Sequence, residues 1–169
     1  MRTHDAATTL IIGRDDVAAV VAAVGLDRLM DEMIEELTSA IVTFDDSVTL
    51  VRARDGFHYS HPETGLVEWM PVMQTGESTT IKVVGYHPDN PRARHLPTIV
   101  ATISVYDTAT GHLRCLTDGT FLTAMRTGAA SAVASRALAR PSSRILGLVG
   151  CGAQAVTQVH ALLRSFPID

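Results

Sequence analysis

Three features of the 169-residue sequence predict an α/β protein. The middle of the chain, from SVTLVRA at Ser47 to TIVATISVYD ending at Asp107, is rich in Val, Ile, Thr and Tyr and is broken by Gly, Pro, Asn and Asp clusters, which is strand and turn chemistry. Helical periodicity flanks it on both sides. Near the end, GLVGCGAQAVTQ at Gly147 to Gln158 sets a glycine turn between a buried-type strand and a helix. The expected architecture is an α+β domain over residues 1–120, a connecting helix over 121–141, and over 142–169 the first strand–turn–helix unit of an incomplete Rossmann domain.

Each element has its own signal. TTLIIG at Thr8 to Gly13 is a short apolar strand. Asp15 and Asp16 then suit a helix start, with Val17, Val20, Val21 and Val24 at helical spacing before Gly25. Leu29, Met30, Met33, Ile34, Leu37 and Ile41 mark one apolar stripe, while Asp27, Asp31, Glu32, Glu35 and Glu36 hold the other face, so 26–41 is an amphipathic helix whose methionines fill core. SVTLVRA, GLVEWMPVM, TTIKVVGY and TIVATISVYD follow as strands, and DTATGHLRCL is a hairpin through Thr110 and Gly111. Asp118 or Thr120 caps a helix through Leu122, Met125, Ala129, Val133 and Ala137, stopped by Pro141. Its small residues, GAASAVAS at Gly128 to Ser135, admit a close neighbour. RILGLVG and AQAVTQVHALLRSF complete the chain as strand and helix.

Composition narrows the function classes. The formal charge is −4, with both signs scattered and no basic run to track a phosphate backbone, which argues against a nucleic-acid partner. No segment approaches the roughly 18 continuous apolar residues of a membrane helix, and MRTHDAATTL lacks a signal-peptide layout, so the expected compartment is the cytoplasm. Cys115 and Cys151 are read as free thiols. His58 and His61 have no further ligand at metal spacing, so no metal is expected.

In the glycine turn, Gly150, Gly152 and Ala155 form GxGxxA. The first glycine permits the tight turn, the second lets backbone approach a pyrophosphate, and the third small residue lets the helix lie close on the strand. The alternative is an ordinary glycine-rich strand-to-helix turn. The acidic residue that reads the ribose is expected about 20 residues further on, past Asp169. The chain is therefore read as the N-terminal part of a longer protein, or as one piece of a split or truncated one.

Four linked motifs, TGLVEWMPVM, TIKVVGYHPDNP, LTDGTFLTAMRTGAASAVASRALARP and LGLVGCGAQAVTQVHAL, resemble the ornithine cyclodeaminase and mu-crystallin family in order and spacing from about Gly65 to Phe166. The resemblance implies a substrate and dimerisation domain joined to a Rossmann domain, and an NAD-dependent enzyme, NADP not excluded, that acts on a small amino or imino acid as a homodimer. The implied reaction is cyclodeamination of a basic amino acid, ornithine-like, to a cyclic imino acid such as proline. Hydride leaves the alpha carbon, the side-chain amine attacks the imine, ammonia departs and hydride returns. An imine reductase or amino-acid dehydrogenase of the same family, and a non-catalytic small-ligand binder, are the rivals. Lys82 matches the family lysine that meets the substrate carboxylate and handles protons, and Arg126 the arginine that clamps that carboxylate. A further arginine lies upstream of EWMP, where Arg54 is favoured over Arg52. Thr127, Gly150, Gly152, Ala153, Gln154 and Ala155 are the implied cofactor-binding set, and the family's catalytic aspartate lies beyond residue 169.

The residues support parts of this independently. The chain has thirteen arginines and a single lysine, Lys82, so surface cation is otherwise met by arginine. Alternating with Ile81 and Val83, Lys82 faces away from two apolar neighbours. It is either a proton-transfer group in a cleft or a solvated edge lysine. Arg126 is equally a helix-surface charge or a planar fork for a carboxylate. His87 is read as a loop histidine bonding the backbone beside Pro88, and Cys151 as a small apolar filler.

Overall fold

A computed structural model describes residues 8–169, so MRTHDAA, on which part of the leader argument rested, lies outside the described residues. The described chain divides into two compact units, residues 8–17 with 45–120 and residues 18–44 with 121–169.

The first unit is built on a seven-stranded sheet. Its strands are β1 (Leu10–Ile12), β2 (Thr49–Val51), β3 (Asp55–Tyr59), β4 (Gly65–Gln74), β5 (Ser78–Tyr86), β6 (Ile99–Asp107) and β7 (Leu113–Asp118). The order is β1-β7-β6-β5-β4-β2, with β3 also on β4. Every pairing is antiparallel except β1 with β7. The expected hairpin joins β6 to β7. Gly111 takes a positive φ of 73°, while the Asp107 carboxylate accepts from the Ala109 and Thr110 amides and the Thr110 hydroxyl. Those bonds, Thr110's first, hold Asp107 below the usual carboxylate range.

β2 and β3 lie end to end on one edge of β4, and Pro71 explains the gap between them. The Pro71 carbonyl accepts from the Arg52 amide at 3.3 Å, so that edge of Pro71 faces the gap. A proline has no N–H to return, and the ladder lapses over residues 52–54. β3 was not expected, because DGFHY reads as turn chemistry. A five-residue helix, Asn90–Arg94, was also missed between β5 and β6; counting from the N-terminus it is α3.

The helices α1 (Arg14–Val24), α2 (Leu26–Val42), α4 (Thr120–Leu138) and α5 (Ala153–Leu163) complete the fold. Residues 18–44, expected in the first domain, pack instead with 121–169. The reason is the α2 stripe: Met30 and Ile34 are fully buried in one core with Met125, Ala129, Ala132 and Ala161, edged by Leu29, Met33 and Leu37. Gly128 is a point of close approach between α4 and α5, where an added Cβ would stand 2.2 Å from the Thr157 carbonyl oxygen. The small-residue run therefore admits another backbone. At the surface, Arg164 on the α5 side donates from Nε to Asp31 of α2 at 2.9 Å, and His160 lies 2.8 Å from Asp27.

One expected strand is absent. Residues 143–152 form no ladder, and Ile145 and Val149 are 93% and 104% exposed. A strand is defined by a paired neighbour, and a single backbone bond, from the Asp169 amide to the Arg144 carbonyl at 3.2 Å, does not make a ladder.

Two outcomes follow from this packing. Gly128→Ala forces a methyl into backbone that cannot yield by a rotamer change, and should lower unfolding free energy by about 1–3 kcal/mol in denaturant titrations. Hydrogen bonding from Arg164 holds the Asp31 carboxyl below its ordinary value. A depressed carboxylate contributes stability above its unfolded pKa and loses it as pH falls through the native value. Arg164→Met should therefore lower the thermal midpoint at pH 7, with the gap to wild type closing as the pH drops below about 4.

Candidate functional site

The site begins with the pairing of β5. Lys82 stands opposite Met70 on β4 and Ile103 on β6, and the same row continues through Thr117 to Ile12. Directly paired residues share a face, so Lys82 projects from a row that is otherwise apolar apart from Thr117. It is half-buried. The opposite face carries Ile81, Val83 and Trp69 and exposes Ile11, Phe57, Val100 and Leu116.

A carboxylate that the sequence reasoning missed lies on the Lys82 face. Glu68 is two residues before Met70 and opposite Val84, which sets it diagonally from Lys82, a separation of roughly 7–8 Å in a sheet. Its side chain is only 16% exposed. Arg54, at the lip of the Pro71 gap, places Nη1 3.4 Å from Glu68 Oε2, and His58 places Nε2 3.8 Å from Oε1. The favoured arginine is thus beside a carboxylate of the chain itself. The available signal was a charged residue at the inward period of GLVEWMPVM, between Leu66 and Met70.

Lys82 and Arg54 belong to the first unit and Arg126 to the second. Arg126 is exposed on α4, with no ion pair among the described residues. Its guanidinium is therefore uncommitted.

The glycine turn can be tested directly against a dinucleotide. Gly150 has φ of 97°, a conformation that glycine adopts at no steric cost, and added Cβ atoms at Gly147, Gly150 and Gly152 would meet nothing within 4 Å. Gly152 caps α5 without a side-chain hydrogen bond, which leaves amides at the helix start free for an anion. Ala153 opens the helix, the Ala155 amide is spent on the Gly152 carbonyl at 2.9 Å, and the buried Gln154 Oε1 has no hydrogen-bond partner among the described residues. Thr127 donates its hydroxyl to the Thr123 carbonyl at 2.7 Å, and its own carbonyl accepts from the Gln158 amide at 3.4 Å, which ties it to α5. These residues fit a pyrophosphate. Cys151 is exposed rather than filling core.

His87 departs from its expected role. Its ring bonds the Tyr59 hydroxyl through Nε2 at 2.9 Å instead of the backbone, and lies where a Cβ on Gly65 would stand 2.5 Å away. Together with Asn90 and Arg94 it lines a cavity of about 530 Å³ at one end of the sheet, and Lys82 is not among the lining residues. Among the described residues no three His, Cys, Asp or Glu side chains gather as a metal site, and no helix is long and apolar enough to cross a membrane.

The fold is shared with known proteins. The L-lysine cyclodeaminase of Streptomyces rapamycinicus is 41% identical over 162 residues, which is 95% of this chain and 47% of that protein. A solved lysine cyclodeaminase, studied for its recognition of L-lysine, L-ornithine and L-2,4-diaminobutyric acid, superposes with a TM-score of 0.89 at 51% identity, over 95% of this chain and 47% of the other. The Δ1-pyrroline-2-carboxylate reductase of Thermococcus litoralis, solved with NADH and L-proline, gives a TM-score of 0.82 at 34% identity, again over 95% and 47%. The chain spans about half the length of these relatives. The model of the ornithine cyclodeaminase/mu-crystallin family matches residues 14–169, and the chain belongs to that family.

Proposed function

We propose that the protein carrying this chain is a nicotinamide-dependent cyclodeaminase of basic L-amino acids such as lysine or ornithine. The observation that carries the reading is the pairing of opposite charges on one face of the sheet, with Lys82 diagonal to the shielded carboxylate of Glu68. An amino acid brings a carboxylate and an ammonium separated by one carbon, and a face that offers a cation and an anion meets both. The likeness to lysine cyclodeaminase supports the class of substrate.

In this reading Lys82 neutralises the substrate carboxylate and moves a proton at its Nζ, and Arg126 supplies a planar fork for the same chemical group. Glu68 accepts from the α-ammonium, and Arg54 serves beside Glu68. Gly150, Gly152, Ala153 and Gln154 would hold a dinucleotide, NAD or NADP, through backbone amides, with Ala155 as the small residue that lets it come close and Thr127 behind them. The nicotinamide, when bound, supplies reversible hydride acceptance at the substrate's alpha carbon. Between removal and return of that hydride the side-chain amine attacks the imine carbon and so closes the ring, and ammonia then leaves. The exposed apolar side chains of the sheet's other face, Ile11 and Leu116 in one cross-strand row and Val100 and Phe57 in another, suit burial against a second copy, as a homodimer.

A second reading, imine reduction, draws on the likeness to the pyrroline-2-carboxylate reductase. The two separate in one assay of the full-length protein with NAD and L-lysine or L-ornithine. Ammonia release without net NADH supports cyclodeamination, whereas oxidation of NADPH or NADH by a cyclic imine without ammonia release supports the reductase. Lys82→Met should depress kcat about 100-fold or more, while Arg126→Lys, which keeps the charge and loses the fork, should act mainly on KM. Near wild-type turnover in Lys82→Met would sink the active-site assignment.

A further inference from the structure

Glu68 is held from three sides, and the third side has no role in what precedes. Opposite it on β3 is Gly56, where an added Cβ would stand 2.7 Å from Glu68 Cα and 3.0 Å from its Cγ. β3 therefore lies against the base of the glutamate with no side chain between them. Arg54 approaches Oε2 from the Pro71 gap at 3.4 Å. His58 approaches Oε1 from two residues further along β3, with its side chain on the same face, at 3.8 Å. A glutamate side chain has three torsions to lose on ordering, so a lone carboxylate on a sheet face is a poorly placed acceptor. Here a different neighbour lies beside each of its two oxygens.

We propose that His58 is a positioning residue for Glu68: it restrains Oε1 while Arg54 restrains Oε2, so that the carboxylate is presented on the Lys82 face as the acceptor for the substrate's α-ammonium. The proposal rests on the amino-acid reading of the site and assigns Arg54 to orienting Glu68. At 3.8 Å the imidazole is beyond a hydrogen bond in its own right, and a small rotation brings Nε2 within range. Its 72% exposed side chain lies on a strand at the sheet edge, so replacing it leaves the β3 ladder and the core intact. Besides Arg54 and Glu68, the charged strand residues in register with this face include Lys82 and, at the far end opposite Ser78, Asp107.

The test uses the full-length protein with NAD and whichever of L-lysine and L-ornithine it turns over. His58→Ala should raise KM for the amino acid about three- to tenfold, the effect of losing one restraining contact, with kcat within about twofold. His58→Gln, whose amide can donate to Oε1, should recover most of the loss. In a Glu68→Gln background His58→Ala should add nothing further, because the group it orients is no longer an anion. A side-chain readout stands apart from activity: the imidazole nitrogen resonances of His58 should change on Glu68→Gln. An active protein in which His58→Ala leaves KM unchanged, or acts equally in both backgrounds, overturns the proposal while the cyclodeaminase reading survives. Unchanged His58 resonances overturn it in any case. If no amino acid is bound or turned over, the cyclodeaminase reading falls and takes the substrate half of this proposal with it.

Discussion

The in-register pairing of β5 with β4 on one side and β6 on the other is the constraint on which the candidate site depends. Nine residues of β5 have a partner on each flank, from Ser78 to Tyr86. The side-chain period of a strand is two, so a slip of one residue would carry Lys82 to the Trp69 face and Ile81 into its place. The turns leave no room for such a slip. Gly76, with φ of 77°, closes β4 to β5, and the Asp107 turn closes β6 to β7. The same pairing brings Glu68 diagonal to Lys82, although neither residue touches the other in sequence. Pro71 contributes by what it lacks: the missing N–H opens the edge of β4 at the one place where Arg54 can reach across to Glu68.

A different economy governs the second unit, where contact depends on the absence of side chains. Gly128 lets α5 approach α4 until backbone meets backbone, and Ala129, Ala132 and Ala161 keep that core thin while Met30, Ile34 and Met125 fill it. The glycine turn ahead of α5 shows the same principle in use. Gly150 and Gly152 leave open space where a Cβ would sit, and the helix start keeps its amides uncapped. Uncapped amides are unfavourable unless something accepts from them, and an anion at that point does so while meeting the positive end of the helix dipole. Asp31 and Asp27 tie α2 to the far end of the same helix through Arg164 and His160.

Much of this was legible in the sequence, for reasons that differ by element. The strands from Gly65 to Asp118 and the helices at 26–42, 120–138 and 153–163 carry their own periodicity, and a periodic pattern of that length needs no partner to be read. β3 was hidden because Asp55, Gly56 and His58 are poor strand formers; the segment is a strand only because β4 offers it an edge. Residues 144–150 failed in the opposite sense. RILGLVG has strand chemistry, and without a neighbour to pair with it forms no ladder. The membership of α2 in the second unit is a tertiary fact, since its stripe says that Met30 and Ile34 are buried and not what buries them. Lys82 stood out by rarity. Glu68 did not, because acidic residues are common and only register shows that this one is shielded on the same face as the lysine.

The use of lysine at a single position has a chemical sense in this setting. Thirteen arginines elsewhere supply charge at caps, edges and ion pairs, and an arginine at position 82 would have supplied charge as well. A guanidinium stays protonated throughout the working range of a protein and can orient a carboxylate but not exchange a proton with a substrate. An ammonium is a compact donor on a flexible stem, and it can give up its proton when its surroundings ask for it. In the half-buried Met70–Lys82–Ile103 row, with a carboxylate one diagonal away, the proposed site would divide the labour between the two cation types: arginine where a fixed fork or a permanent charge is needed, and lysine where a proton has to move.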